Sequence, residues 1–457
     1  MEIKKILVAN RGEIARRVIS TAKKVGKRTV AVYSDADKDL PFVEEADESV
    51  FIGESHPLKS YLDISKIIEA AKKTKADAIH PGYGFLSERE DFVKACEDNG
   101  IIFIGPTAKS MEIMGDKATA RKFVSSIGIP IPPGTEIIDD IEKLKSEAKR
   151  LGFPVLLKAA AGGGGIGMVK VEKEEDLQKS YEQSRSRAKS AFGDERVYME
   201  KYLQSPHHIE IQVLGDGKGG VITFPERECS VQRRHQKVIE ESPSPFVDEE
   251  LRKRLRDYAR KIMSELKYRN AGTVEFIVDK DRNIYFLEVN TRLQVEHPIT
   301  EAITGFDLVE WQIKIAEGHN LPEEQEIKFK GWAIECRIYA EDPITFFPSP
   351  GKISKLIEPD CTKFLWDNKI RLDIGYKEGN SITPFYDPLI AKLIARGKDR
   401  NEAIQKTIDA LNATKIEGPK TNIKFLIDSV SSQIFKEGNY DTHFIENLRS
   451  KTKQKEN

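Results

Sequence analysis

Residues 287–298 read Leu287-Glu288-Val289-Asn290-Thr291-Arg292-Leu293-Gln294-Val295-Glu296-His297-Pro298, and their side chains alternate with a period of two. Glu288, Asn290, Arg292, Gln294 and Glu296 share one face of an extended chain; Val289, Thr291, Leu293 and Val295 share the other. An ordinary half-buried strand whose polar face meets water gives the same pattern. The residues upstream open a second reading. A strand over 273–278 precedes a turn cluster at 279–283, and a symmetric hairpin pairs Val278 with Tyr285 and Glu275 with Glu288. Carboxylates opposed at roughly 5 Å repel by about 3 kcal/mol at an effective dielectric near 20. A hard divalent cation between them, with Asn290 as a further oxygen ligand, removes that cost. Magnesium held by few protein ligands usually also holds substrate phosphates, so this register predicts a nucleotide site.

At 457 residues the chain exceeds one hydrophobic core, and two or three domains are expected. Its 73 basic and 74 acidic residues leave a net charge of −1, which gives no electrostatic reason to expect nucleic acid or a membrane as partner. Cys96, Cys229, Cys336 and Cys361 show no paired spacing and fit thiols in a reducing cytosol better than disulfides or zinc. The apolar run at 6–9 is too short for a signal peptide, and no stretch approaches membrane-spanning length. The expectation is a soluble, cytoplasmic protein.

The first part alternates strands (5–9, 28–33, 76–80, 101–104) with helices, as a parallel sheet covered on both faces does. The turn after the first strand, Asn10-Arg11-Gly12-Glu13, has one glycine and not the dinucleotide fingerprint. His80-Pro81-Gly82-Tyr83-Gly84-Phe85 ends a strand, either as a tight connection or as a substrate-lining loop. Residues 130–134 read as a linker into a smaller module. There, strands at 154–159 and 168–171 flank Ala161-Gly162-Gly163-Gly164-Gly165-Ile166-Gly167. Such a run is either a flexible connector or a hairpin tip whose amides close over phosphates, with Lys158 at its base. It is not a P-loop, because Met168 follows Gly167. Gln232-Arg233-Arg234-His235-Gln236-Lys237 is either a solvated basic strand edge or an anion pocket. Beyond Gly331 the chain is strand-rich, with two amphipathic helices near 401–412 and 422–430 and a polar tail after 450 expected to fray.

Taken together these segments resemble the biotin carboxylase component of biotin-dependent carboxylases, in the ATP-grasp group, over residues 6–448. The resemblance is carried in order by Leu7-Val8-Ala9-Asn10-Arg11-Gly12-Glu13-Ile14-Ala15, by the loop 80–88, by Glu226-Arg227-Glu228-Cys229-Ser230 with 232–237, and by 288–301. It implies an α/β and α+β architecture: an N-terminal parallel-sheet domain (1–115), an ATP-grasp core (116–330) with a glycine-loop lid (about 131–203), and a mainly β C-terminal domain (331–448). It further implies that Lys117 and Lys158 bind ATP phosphates under the loop containing Gly163, Gly164, Gly165 and Gly167. Glu200, Lys201 and Leu203 would line the adenine pocket, and His208, Gln232 and His235 would lie along the nucleotide. Glu275, Glu288 and Asn290 would hold Mg2+, with Mn2+ possible. Lys237, Arg292, Gln294 and the Val295 backbone would bind bicarbonate, with Glu296 as general base. Tyr83 and Arg337 would face biotin.

The chemistry implied by the resemblance is ATP-dependent formation of carboxyphosphate, then transfer of carbon dioxide to the biotin ureido nitrogen. None of the six methionines precedes a lysine, so biotin is expected on a separate carrier protein. A separate carboxyltransferase subunit and a homodimer are expected with it. The acceptor is expected to be acetyl-CoA or propionyl-CoA, with pyruvate or another 2-oxoacid as the alternative. Two other readings are a ligase joining an acyl phosphate to an amine and a silent nucleotide-binding subunit. The first leaves Lys237, Arg292 and Glu296 without a task; the second predicts loss of Glu275, Glu288, Glu296 or Arg337, and all four are present. The chain departs from the family's usual residues at Ala161, Ile166 and Tyr339, where glycine, arginine and asparagine are common.

Overall fold

The computed structural model describes residues 2–161, 167–324, 327–364 and 369–456. Strands β1 (Lys5–Val8), β2 (Arg28–Ser34), β3 (Glu48–Gly53), β4 (Ala78–His80) and β5 (Ile102–Phe103) form a parallel sheet in the order β3-β2-β1-β4-β5. Alternate residues explain why both faces are covered. Leu7, Val30 and Ile79 pack with the helices Ile64–Thr74 and Glu90–Asp98, while Val8 and Ala31 pack with Gly12–Lys24. The periodicity overlooked β3, an edge strand whose side chains stay largely exposed.

A small antiparallel sheet follows: β6 (Val155–Ala159) sits between β7 (Val169–Val171) and β8 (Val197–Lys201). The glycine run joins β6 to β7, but Gly163, Gly164, Gly165 and Ile166 lie outside the described residues. Gly167 is described; its φ of +80° suits glycine, and its carbonyl accepts from Ser184 Oγ at 2.5 Å.

The rest is organised by one antiparallel sheet. Its strands are β9 (His207–Asp216), β10 (Val221–Arg233), β11 (Gln236–Ser242), β12 (Arg269–Val278), β13 (Ile284–Asn290), β14 (Trp332–Tyr339), β17 (Ile370–Ile374) and β19 (Leu389–Gly397). They run in the order β13-β12-β9-β10-β11-β14-β19-β17. The C-terminal strands therefore extend the central sheet through the β11–β14 pairing. Short pairs join β15 (Gly351–Lys352) to β18 (Ser381–Ile382), and β16 (Lys355–Ile357) to β20 (Lys415–Glu417). The helices Arg400–Ala413 and Ile423–Ser431 lie where the sequence predicts them. The helix Phe444–Glu456 carries on through the tail expected to fray. Among the described residues no helix is long and apolar enough to cross a membrane.

Period-two patterning sorts β9 and β12. Ile209, Ile211, Val213, Val274 and Phe276 pack on Leu255, Ala259 and Ile262 of the helix Glu249–Glu265. His208, Glu210, Gln212, Thr273 and Glu275 share the other face. The basic stretch at 232–237 is no solvated edge: it is the β10–β11 hairpin turn, between interior strands of the sheet.

Candidate active site

The hairpin of β12 and β13 pairs Glu275 with Glu288 and Thr273 with Asn290, as the sequence predicts. The predicted partner of Val278 is corrected: it faces Ile284, and Tyr285 faces Ile277. A bulge between the Phe276–Phe286 and Glu275–Glu288 pairs absorbs the one-residue difference. The predicted extended face ends early as well. β13 stops at Asn290, and residues 291–296 leave the sheet and turn into the helix His297–Thr304, with Pro298 in its first turn. Glu296 is the N-cap of that helix, yet its carboxylate makes no cap hydrogen bond. It points at two cations.

Lys237 Nζ donates to Glu210 (2.6 Å), Glu275 (2.8 Å) and Glu296 (2.6 Å). Arg337, from β14, donates to the second oxygen of Glu296 (3.0 Å) and to Glu240 (2.6 Å). Glu275 also accepts from His208 Nε2 (2.7 Å), Asn290 (2.8 Å) and Gln294 (2.6 Å). Arg227, fully buried, donates to Gln294 (2.7 Å), Gln212 (2.8 Å), Thr300 (3.0 Å) and Thr273 (3.1 Å), and also to Glu210. Arg292 reaches Asn290 Oδ1 (2.8 Å) and Glu88 (2.9 Å).

Burial alone would neutralise these groups, and the balance of neighbours sets each charge. Burial pushes the Glu296 carboxyl up, but Lys237, Arg337 and Arg227 outweigh it and hold the carboxyl below its ordinary range. Glu275 is likewise held well below, its burial outweighed by Lys237 and His208. At Glu240 burial wins over Arg337 and lifts the carboxyl to about 7. For Lys237 the three glutamates outweigh burial and keep the ammonium protonated.

Of the residues predicted along the nucleotide, His208 and, through it, Gln232 join this knot. Lys117 Nζ is 3.3 Å from Glu288, which is only half-buried. Lys158 pairs with Glu200 at 2.9 Å, and Arg121 holds the other oxygen of Glu200. Lys201 caps the carbonyls of Gly152 (2.8 Å) and Phe153 (3.3 Å). Leu203 is half-buried beyond the end of β8. Gln232 joins His208 Nδ1 at 2.7 Å, whereas His235 is exposed at the hairpin turn. Tyr83 is fixed by its backbone: Asn10 Nδ2 donates to the carbonyls of Pro81 and Tyr83, both at 2.7 Å. A Cβ on Gly82 (φ +63°) would meet Asn10 Nδ2 at 2.9 Å. Tyr339 lies two residues from Arg337 on β14, buried; its N–H donates to Asn422 Oδ1 (2.8 Å) and its carbonyl accepts from the Asn422 N–H (3.3 Å).

Sequence reasoning missed Glu210, Arg227, Glu240 and Glu88. The alternation His208, Glu210, Gln212 along β9 was a readable signal for the first; the others become visible only through pairing distant in sequence.

This fold, with a carboxylate held ionised between two cations beside a pair of opposed carboxylates, is that of an ATP-grasp ligase. Residues 2–111 match the family described as "Biotin carboxylase, N-terminal domain". Residues 116–324 match "Carbamoyl-phosphate synthase L chain, ATP binding domain", and 335–447 match "Biotin carboxylase C-terminal domain". The chain is 52% identical over 443 residues to biotin carboxylase 2 of Bacillus subtilis (strain 168), covering 96% of this chain and 98% of that one. It superposes on the Campylobacter jejuni biotin carboxylase–βγ-ATP complex with a TM-score of 0.94 at 48% identity, covering 98% and 99% of the two chains. The biotin carboxylase domain dimer of Hydrogenobacter thermophilus 2-oxoglutarate carboxylase, in complex with MgADP, ADP and bicarbonate, gives 0.94 at 44% identity and 98% coverage of each. The chain belongs to the biotin carboxylase family, ATP-grasp ligases that carboxylate biotin in an ATP-dependent reaction.

Proposed function

We propose that this chain carboxylates biotin borne on a separate carrier protein, as one subunit of an acyl-CoA carboxylase. The single observation that carries the residue roles is the clamp on Glu296, whose two oxygens meet Lys237 at 2.6 Å and Arg337 at 3.0 Å. Glu296 is anionic and so free to accept the bicarbonate proton, and yielding Lys237 to bicarbonate would raise its basicity. Lys237, Arg292, Gln294 and the Val295 backbone would bind bicarbonate. Its oxygen would attack the γ-phosphorus as Glu296 takes the hydroxyl proton and the bond to ADP breaks. Carboxyphosphate would split into carbon dioxide and phosphate, and the phosphate would take the biotin ureido proton. The biotin anion, stabilised by Arg337, would then attack carbon dioxide; Tyr83 would flank biotin.

The carboxylates fit a hard dication: Glu275 and Glu288 oppose each other on one sheet face, and Glu275 is held as an anion. Those two, with Asn290, would hold Mg2+ or Mn2+, which would supply positive charge to the ATP phosphates. Lys117 and Lys158 would neutralise phosphate oxygens under the loop of Gly163, Gly164, Gly165 and Gly167. Glu200, Lys201 and Leu203 would flank adenine, with His208, Gln232 and His235 along the nucleotide. The domain division at 115/116 and 330/331, with a lid over about 131–203, is part of this reading. The separate sheet of β6, β7 and β8 supports the lid. A carboxyltransferase subunit, homodimer assembly and a cytoplasmic setting complete it. The likeness to the 2-oxoglutarate carboxylase domain favours a second reading, in which the acceptor is a 2-oxoacid.

The test is phosphate release from ATP with bicarbonate and magnesium, with and without free biotin. No biotin-dependent release from folded protein would remove the assignment. Subunits that co-purify with the chain decide the acceptor.

A further inference from the structure

We propose that Lys392 is a positioning residue that orients the peptide between Val295 and Glu296, and through it the base and the bicarbonate pocket. The inference rests on the roles proposed above for Val295 and Glu296. Lys392 has no exposed surface. Its Nζ donates to the Val295 carbonyl at 2.9 Å, the carbonyl of the very peptide whose N–H belongs to Glu296. On β19, Lys392 lies directly opposite Arg337 of β14 and Asp373 of β17, so it rises from the same sheet face as the arginine that grips Glu296.

The side chains of Gln294 and Glu296 anchor the turn on either side of Val295, but its backbone has little other support. His297 N–H and ring Nδ1 engage the preceding carbonyl, of Gln294, at 3.3 and 2.8 Å. Among the described residues, the Val295 carbonyl is left to Lys392. Nothing caps the following helix from the Glu296 side chain, because that carboxylate serves Lys237 and Arg337.

The ammonium is compensated from the rear. Glu13, in the first turn of the helix Gly12–Lys24, has Oε2 3.2 Å away, and Asp373 Oδ2 is 3.8 Å away. The Tyr83 ring centroid is 5.7 Å from Nζ. A buried lysine that spends one proton on a backbone carbonyl in the site is built to hold that backbone still.

The experiment measures steady-state kinetics of biotin-dependent ATP cleavage in Lys392→Met, Glu13→Gln and the double variant. Lys392→Met raises KM for bicarbonate about tenfold and leaves KM for ATP within about twofold. Glu13→Gln keeps the Val295 hydrogen bond and leaves KM for bicarbonate near the parent value. Where Lys392→Met fails to fold, the double variant, which strands no unpaired carboxylate at Glu13, carries the same test. Three outcomes overturn the inference: an unchanged bicarbonate KM, equal rises for bicarbonate and ATP, or a Glu13→Gln shift as large as that of Lys392→Met. A parent enzyme without biotin-dependent activity would instead refute the reading of the reaction, so the two failures are distinguishable.

Discussion

Glu275 and Glu288 face one another across the β12–β13 hairpin because β13 carries one residue more than its partner between Phe286 and Glu288. The bulge turns Glu288 onto the face it shares with Glu275, opposite to the face Phe286 occupies. The two carboxylates nevertheless stand in unlike surroundings. Glu275 is buried and accepts from Lys237, His208, Asn290 and Gln294; Glu288 is half-buried and meets Lys117.

That asymmetry separates metal binding from stability. Glu288→Gln should raise the magnesium concentration for half-maximal activity about tenfold or more and cost less than about 1 kcal/mol of folding stability. Glu275→Gln should raise it similarly and cost about 3–5 kcal/mol, since Lys237 and His208 lose a buried counter-charge. Magnesium titrations and urea unfolding of both variants check this, and equal stability losses would contradict it.

Glu296→Gln keeps the side chain's size and removes the proposed base. Biotin-dependent phosphate release should fall by about 10²–10⁴-fold while ATP affinity, followed by calorimetry, stays within about twofold. A weaker affinity for ATP in step with the rate would assign Glu296 to nucleotide binding.

Arg337→Lys retains the charge but not the fork that spans Glu240 and Glu296. Carboxybiotin formation should fall by about 10²–10³-fold. Bicarbonate-dependent ATP cleavage without biotin should fall far less. Comparing the two rates in one preparation tests whether Arg337 serves biotin.

His80 gives a pH signature for the fold. Burial lowers its pKa from 6.5 to about 4. Its Nδ1 accepts from Gly82 N–H (3.0 Å) and its Nε2 meets Gln312 (3.1 Å), so the neutral ring is the one accommodated. Between pH 6.5 and 4 the unfolded chain binds the extra proton and the folded chain does not, so stability falls as pH falls through that window. The loss amounts to about 3 kcal/mol and levels off below pH 4. His80→Asn should flatten this limb in urea melts taken across that range. A slope equal to the parent's would show that other groups govern it.

The period-two face of 288–296 and the turn at 279–283 made the Glu275–Glu288 pairing legible, because strand geometry is local. Where β13 ended was not. Nothing nearby in sequence reports that Asn290 is the last residue with a ladder partner, and Arg292, Gln294 and Glu296 reach the site from a turn. Arg227 and Glu240 were hidden for another reason. A charged side chain in a sequence reads as surface, and burial of these two follows from neutralisation by residues that only the folded sheet brings together. The order β13-β12-β9-β10-β11-β14-β19-β17 is likewise a long-range result that no local pattern encodes.

The join between β11 and β14 makes the last third of the chain inseparable from the pocket around Glu296. Truncation before Trp332 would not trim an appendage. It would bare the backbone of β11 as an adhesive edge, and Glu296 would lose Arg337 in the same cut. Insertions, tags and fusion points therefore belong at the chain ends or in surface turns, never at this seam.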